Sequence, residues 1–351
     1  MQVDLIVIGQ GISGTLLCHY LEEAGLSFVV IDEPKPFTAS KTASGIINPI
    51  TGRRMVKTWM IDELMDFSWK EYIYIGNKLK ISCISEKKII DFFPSAQMRL
   101  AFTKRYEEES QYLQMSSDEN AWEEFFNYEF GLGEIGPCYL VDISTLLSEY
   151  RKKLIEQRLL KEEHFFMDQL IIQKEKVNYQ ALEANSIIFC DGIDSYDNPY
   201  FKNLPFAPNK GEVLIVETKD IPANYIYKKG ISLVPWKENL FWAGSSYEWE
   251  FQDDKPSETF FKKMENSLQQ WLKTPFKIID HFAAIRPATL ERRPFVGFHP
   301  THANIGILNG MGTKGCSLAP YFAKQLVQYF TNATPINPEA DIKRFTRILA
   351  R

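Results

Sequence analysis

"LIVIGQGISGTLLCHYLEEAGLSFVVIDE", residues Leu5 to Glu33, decides how the rest of the chain is read. Val3 to Ile8 is an unbroken apolar run, which suits a strand buried on both faces of a parallel sheet. Gly9, Gly11 and Gly14 follow at once in GxGxxG spacing. The first glycine admits a tight turn, the second lets backbone approach a pyrophosphate, and the third lets a helix pack close to the strand. Leu16, Leu17, Tyr20, Leu21 and Ala24 then recur at helical spacing, which predicts a helix from about Ile12 that stops at Gly25. The unpaired N–H groups and positive dipole end of that helix face the glycines. Phe28 to Ile31 gives a second buried strand closing on Asp32 and Glu33, where one acid can hydrogen-bond ribose hydroxyls. Strand, glycine turn, helix, strand and acid in this order predict a dinucleotide site. The unit by itself does not say which dinucleotide.

Composition narrows the class. The chain has 351 residues, enough for one large domain or two, with 45% hydrophobic and 24% charged residues, which fits a globular protein with a sizeable core. A net charge of −5 makes nucleic acid an improbable partner, since phosphate neutralisation needs a basic surface. Cys18, Cys83, Cys138, Cys190 and Cys316 are scattered without a CxxC pair, so reduced thiols are expected, with neither a disulfide framework nor a metal site. No leader pattern opens the chain, and no apolar run approaches the roughly 20 residues of a bilayer crossing. A cytoplasmic protein off the membrane is the expectation; oligomeric state is not legible.

Beyond Glu33, the stretch from Pro34 to Met60 is rich in small residues and then basic, the composition of a loop able to lie against a ligand. Residues 60–97 read as a helix followed by strands, and 104–130 as a less regular peripheral lobe. A short strand and an amphipathic helix follow Tyr139, with Asp142 or Ser144 near the helix start. "NSIIFCDGIDS" is a buried strand running into Cys190, Asp191 and Gly192, and ligands of open parallel sheets bind at such carboxyl ends. From Gly211 to Trp249 short strands alternate with turns, the pattern of an antiparallel sheet on a substrate-facing lobe. A helix spans about Ser257 to Leu272, with Phe260, Phe261, Met264 and Leu268 on its core face. A strand at Ile305–Leu308 then enters Gly310, Gly312 and Gly315 ahead of a last long helix.

This layout resembles the D-amino-acid oxidase (DAO) family of FAD-dependent oxidoreductases, in the group of glycine oxidase, sarcosine oxidase and the oxidase domain of the bifunctional tRNA wobble-uridine modification enzyme. The resemblance runs nearly full length and rests on GxGxxG-x3-Cys18-x6-Gly25, "ASKTASGIINP", "IIFCDG", "IRPATLERRPFVG" and "GMGTKG" in that order. It implies an α/β fold, with an FAD-binding Rossmann-like (glutathione-reductase-type) domain assembled from discontinuous segments 1–75, 140–205 and 280–351. An α+β substrate domain of residues 76–139 and 206–279, built on a mixed and largely antiparallel sheet, would be inserted between them.

By the same resemblance, Gly9, Gly11, Ile12, Ser13 and Gly14 would hold the FAD pyrophosphate, and Asp32 or Glu33 the adenosine ribose. Ser40, Ser44, Gly45 and Ile46 would line the isoalloxazine, with Gly192 and Gly310 at the strand ends beside the cofactor. Arg286, Gly312, Thr313 and Lys314 would sit about the ring and the substrate. Arg286 is the candidate grip for a substrate carboxylate, because a guanidinium binds both oxygens at once; its rival role is a structural one before Pro287. Lys314 could add charge at the flavin or be a plain loop lysine. Arg53, Arg54 and Lys57 are either a solvated face or a functional cationic cluster.

Two departures bear on specificity. Sarcosine oxidase tethers its flavin through a cysteine near the segment equivalent to 283–290, where this chain has none, so FAD is expected to be noncovalent. D-amino-acid oxidase carries a second arginine four positions after the first; here Leu290 stands there, which points away from that specificity. The expected reaction is hydride transfer from the α-carbon of an amino acid or secondary amine to flavin N5, giving an imine that water hydrolyses. Arg286 and Lys314 would position substrate or flavin, with no obligatory acid or base and no metal. The alternatives are an FAD-dependent oxidase of tRNA wobble-uridine modification and a non-catalytic flavin-binding homologue.

Overall fold

The computed structural model describes residues 1–350. The opening strand, Gln2–Ile8, lies between two parallel neighbours, Phe28–Ile31 and Leu182–Phe189, with Ile8 in register with Ile31 on one side and Phe189 on the other. Leu5 and Val7 pack into one layer of the core and Ile6 and Ile8 into the opposite layer, which is why the run is continuously apolar. Around these strands an eight-stranded sheet runs Leu170–Ile172, Val177–Tyr179, Leu182–Phe189, Gln2–Ile8, Phe28–Ile31, Leu160–Lys161. Ile305–Asn309 joins it parallel to Leu182–Phe189, and Phe295–Phe298 pairs antiparallel to Ile305–Asn309. Ile8, Ile31, Phe189 and Asn309 therefore all end at one edge.

Two helices cover the Leu5 and Val7 face. The helix Ile12–Glu23 buries Leu16, Leu17 and Leu21 completely, each worth about 1.5–3 kcal/mol relative to exposure. It packs against Gly315–Asn332, and their N-termini meet closely: a Cβ on Gly315 would lie 3.2 Å from Ile12 Cγ2. The second helix contains Pro320, which has no N–H to give the carbonyl of Cys316 one turn earlier. The hydroxyl of fully buried Tyr72 donates to that carbonyl instead, at 2.8 Å.

A second, nine-stranded sheet runs Lys277–Arg286, Asn209–Glu217, Leu240–Gly244, Ile231–Lys237, Tyr225–Lys229, Ile84–Phe92, Leu132–Val141, Ile46–Ile47, with Leu113–Met115 beside Leu132–Val141. Its pairs are antiparallel except Tyr225–Lys229 with Ile84–Phe92. The helix Glu258–Trp271 covers it with Phe260, Met264 and Leu268 buried, while Phe261 is only partly covered. Ser257 caps that helix, its hydroxyl accepting from Phe260 N at 3.2 Å. Asp142, not Ser144, caps Ile143–Glu156. The fold is thus the expected α/β arrangement, a Rossmann-like sheet of discontinuous segments and a mixed, largely antiparallel second sheet.

Two local expectations change. Residues 60–97 hold the helix Ile61–Leu79 and one long strand rather than several. The 104–130 stretch begins inside a regular helix, Ala96–Glu108, capped by Ser95. Only Phe102 of that helix is buried, so its charged surface hides the helical period. No helix among the described residues is long and apolar enough to cross a membrane.

Candidate active site

A cavity of about 840 Å³ runs along the edge where the parallel strands end and continues between the two sheets. Of the predicted residues, Gly9, Gly11, Ile12, Ser13, Asp32, Glu33, Ser40, Ser44, Gly45, Ile46, Gly192, Arg286, Gly312 and Thr313 line it. Gly14, Gly310 and Lys314 do not. Gly14 serves packing: a Cβ there would sit 1.9 Å from Gly9 O, so the helix could not approach the strand. The Gly310 N–H bonds Asn309 Oδ1 at 2.8 Å, which sets the following loop. Lys314 lies half-buried beside Arg292 and Arg293, and burial, then those two cations, pushes its ammonium down from the usual lysine range.

At one end of the cavity two helix N-termini supply free donors. Ile12 N donates to Ser40 Oγ at 3.1 Å and Thr15 N to Gly11 O at 2.9 Å, which leaves the N–H groups of Gly11, Ser13 and Gly14 without an acceptor among the described residues. Across from them the N–H groups of Thr313, Gly315 and Cys316 are likewise free. Such paired, pre-aimed N–H groups suit an anionic diphosphate and an electron-rich ring edge. Asp32 is held in place, Oδ1 accepting from Gln10 N at 2.7 Å and Oδ2 from Arg151 at 2.6 Å. Arg151 also binds Glu162 and Gln10 Oε1, so a partly buried network, unread in the sequence, fixes the acid at the strand end. Glu33 meets His164 Nδ1 at 3.0 Å. The donor set and the elongated cavity fit a dinucleotide.

Arg286 stands at the other end. It closes the strand Lys277–Arg286 in register with Asn209, and its Nη1 donates to Asn209 Oδ1 at 2.7 Å and to Ser246 O at 3.1 Å. The guanidinium lies 4.6 Å from the centre of the Tyr247 ring. No carboxylate among the described residues pairs with it, and burial pushes its pKa down from the ordinary arginine value, opposed by Tyr247. Gly211 makes room for it: a Cβ there would fall 1.8 Å from Arg286 Nη2. Val213 and Trp242 line the same wall, and the Trp242 indole donates to Thr42 O at 2.9 Å, tying the small-residue loop to the second sheet.

Sequence reading missed Asn209, Gly211, Val213, Trp242 and Arg151. The signal for the first three was the alternation in "NKGEVLIV", which puts Asn209, Gly211 and Val213 on one strand face. The three cations past the loop lie outside the cavity lining: Lys57 pairs with Glu109 at 2.5 Å and Asp62 at 3.1 Å, and Arg53 and Arg54 stand exposed on a turn.

The chain is similar to known proteins along most of its length. Residues 151–329, half of the chain, match the family described as FAD dependent oxidoreductase (DAO). Glycine oxidase of Pseudomonas putida is 22% identical over 96% of this chain and 96% of its own length. Iminodiacetate oxidase of a Chelativorans species superposes with a TM-score of 0.79 at 14% identity, covering 97% of this chain and 98% of that one. Glycine oxidase of Geobacillus kaustophilus gives 0.79 at 15% identity over 98% of both chains. The chain belongs to the DAO family of FAD-dependent oxidoreductases.

Proposed function

We propose that this enzyme oxidises a C–N bond in a carboxylate-bearing amino acid or secondary amine, with hydride passing from the substrate α-carbon to N5 of noncovalently bound FAD. One observation carries the reading: Arg286 lines the cavity with its positive charge unmatched by any carboxylate among the described residues. A largely desolvated guanidinium without a counter-charge favours an anionic ligand. The relatives are named for glycine and iminodiacetate, both of which place a carboxylate beside a C–N bond.

When bound, FAD supplies the two-electron acceptor. On this reading the N–H groups of Gly11 and Ser13 hold the diphosphate, with Gly9 shaping the turn and Gly14 letting the helix close on the strand. Asp32, braced by Arg151, or Glu33 serves the adenosine ribose. Ser40, Ser44, Gly45, Ile46, Gly312 and Thr313 would border the ring, and the free N–H groups of Thr313, Gly315 and Cys316 would offer it hydrogen-bond donors. Arg286 grips the carboxylate and so fixes the α-carbon, while Asn209 and Ser246 hold the guanidinium. We divide the chain as 1–75, 140–205 and 280–351 for cofactor and 76–139 and 206–279 for substrate. Noncovalent attachment is supported at Cys316, which lines the cavity but whose thiol burial pushes up to about 12, far from a reactive thiolate.

The test is anaerobic flavin bleaching against a panel of amino acids, N-substituted amino acids and the matching amines without a carboxylate. Carboxylate-bearing members should bleach the flavin. Arg286→Met should raise KM by about 10- to 150-fold, the worth of a charge-assisted hydrogen bond of about 1.5–3 kcal/mol. Equal bleaching by the carboxylate-free amines, or by no member of the panel, overturns the proposal.

A further inference from the structure

Two residues past the strand Leu182–Phe189, Asp191 puts a carboxyl into the cavity wall to which no role has been given. Its Oδ1 accepts from the Ser195 hydroxyl and, at 3.4 Å, from Asn309 Nδ2. Both donors are neutral. Its Oδ2 has no partner among the described residues, and no lysine or arginine there forms an ion pair with it. The group flanks the first glycine turn: a Cβ on Gly9 would sit 3.1 Å from Asp191 Cα.

The charged groups around it are few. The turn Gly192–Tyr196 carries Asp194, whose anion opposes ionisation of Asp191. The loop after Phe28–Ile31 carries Lys35, which favours ionisation but is already 3.0 Å from Asp194 and 3.9 Å from Glu33. The Gly9–Gly14 turn and the strand Ile305–Asn309 bring only Gln10 and Asn309, both neutral.

We propose that Asp191 is a cofactor-binding residue that works as a neutral carboxylic acid, offering the proton of Oδ2 toward the diphosphate side of FAD, so that losing this proton weakens cofactor binding. A neutral acid is a donor, whereas its anion beside another anion is a repulsion. The inference rests on the reading that the Gly9–Gly14 turn takes the diphosphate. Burial is the first cause, with Asp194 adding to it against the Ser195 hydroxyl, the residue's own backbone N–H and Lys35, and together they push the carboxyl up to about 7. The sign follows: the donor form is present below that pH and is lost as pH rises through it. If the neutral form alone binds, affinity falls about tenfold per pH unit above the transition.

The experiment titrates FAD into apoprotein by flavin fluorescence between about pH 5.5 and 9, on the wild type, Asp191→Asn and Asp194→Asn. The wild-type Kd should be level on the acid side and rise roughly 10- to 50-fold by pH 8.5. Asp191→Asn keeps a neutral donor, so its Kd should stay near the acid wild-type value throughout. Asp194→Asn removes an opposing anion and frees Lys35 from its partner, so its break should move to lower pH. That exposed variant carries the test if Asp191→Asn does not fold. A level wild-type Kd, an unchanged slope in Asp191→Asn, or an unmoved break in Asp194→Asn overturns the proposal. Absence of FAD binding by the wild type at every pH overturns instead the reading of the glycine turn on which it rests.

Discussion

Arg286 shows how much one side chain depends on what is missing opposite it. Its Nη2 occupies the space where any residue larger than glycine at 211 would put a Cβ. Gly211→Ala should therefore displace the guanidinium and raise KM about as far as Arg286→Met, because both remove the same grip. The two changes together should cost little more than either alone, the mark of residues acting as one unit. Steady-state kinetics on the four proteins measures this, and full additivity would show that Gly211 acts elsewhere. Arg286 was legible in the sequence because its motif is local, "IRPATLERRPFVG". Gly211 was not, since its partner is 75 residues away and the contact exists only after strand pairing sets Asn209 beside Arg286. Lys314 is a related case: its position in the loop was readable, but its side chain's neighbours, Arg292 and Arg293, come from another segment.

At the scale of elements, the helix Gly315–Asn332 carries a defect that another helix repairs. Pro320 leaves the Cys316 carbonyl without its helical donor, and Tyr72 from Ile61–Leu79 supplies one. Tyr72→Phe should leave that buried carbonyl unsatisfied and lower stability by about 1–3 kcal/mol, read as a shift in urea midpoint at unchanged m-value. A loss within about 0.5 kcal/mol would mean that the carbonyl finds another donor. The proline also lies near the helix start that borders the cavity, so the same variant should loosen the free N–H groups of Thr313, Gly315 and Cys316 and weaken FAD binding. Glu258–Trp271, with its strong apolar stripe, and Ile12–Glu23, bracketed by glycines, were readable to within a residue or two. Ala96–Glu108 was not, because a helix with one buried side chain has almost no apolar stripe to detect.

For the whole molecule, the cavity is walled by both sheets, so a ligand that fills it ties them together. Saturating FAD should then raise the unfolding temperature of the entire chain in a single transition. At a hundred times Kd the added stability is about 2.7 kcal/mol. Differential scanning calorimetry of apoprotein against FAD concentration checks this; a shift confined to part of the transition would show that the sheets unfold separately. The first sheet was legible because its glycine turns announce strand ends. The order of the second sheet was not, because antiparallel partners such as Asn209–Glu217 and Lys277–Arg286 are chosen by side-chain packing between distant segments, which no local pattern encodes.

The first sheet also has a history in time. Gln2–Ile8 gains its neighbour Leu182–Phe189 only after most of 180 residues have been made, and Ile305–Asn309 joins after 300. At ribosomal speeds of about 5–20 residues per second, the nascent sheet stays incomplete for roughly 15–60 s. During that interval some of the most apolar strands in the protein have an open edge. Production in the cell should therefore lean on chaperones that shield an emerging chain, and slower synthesis should favour aggregation over yield.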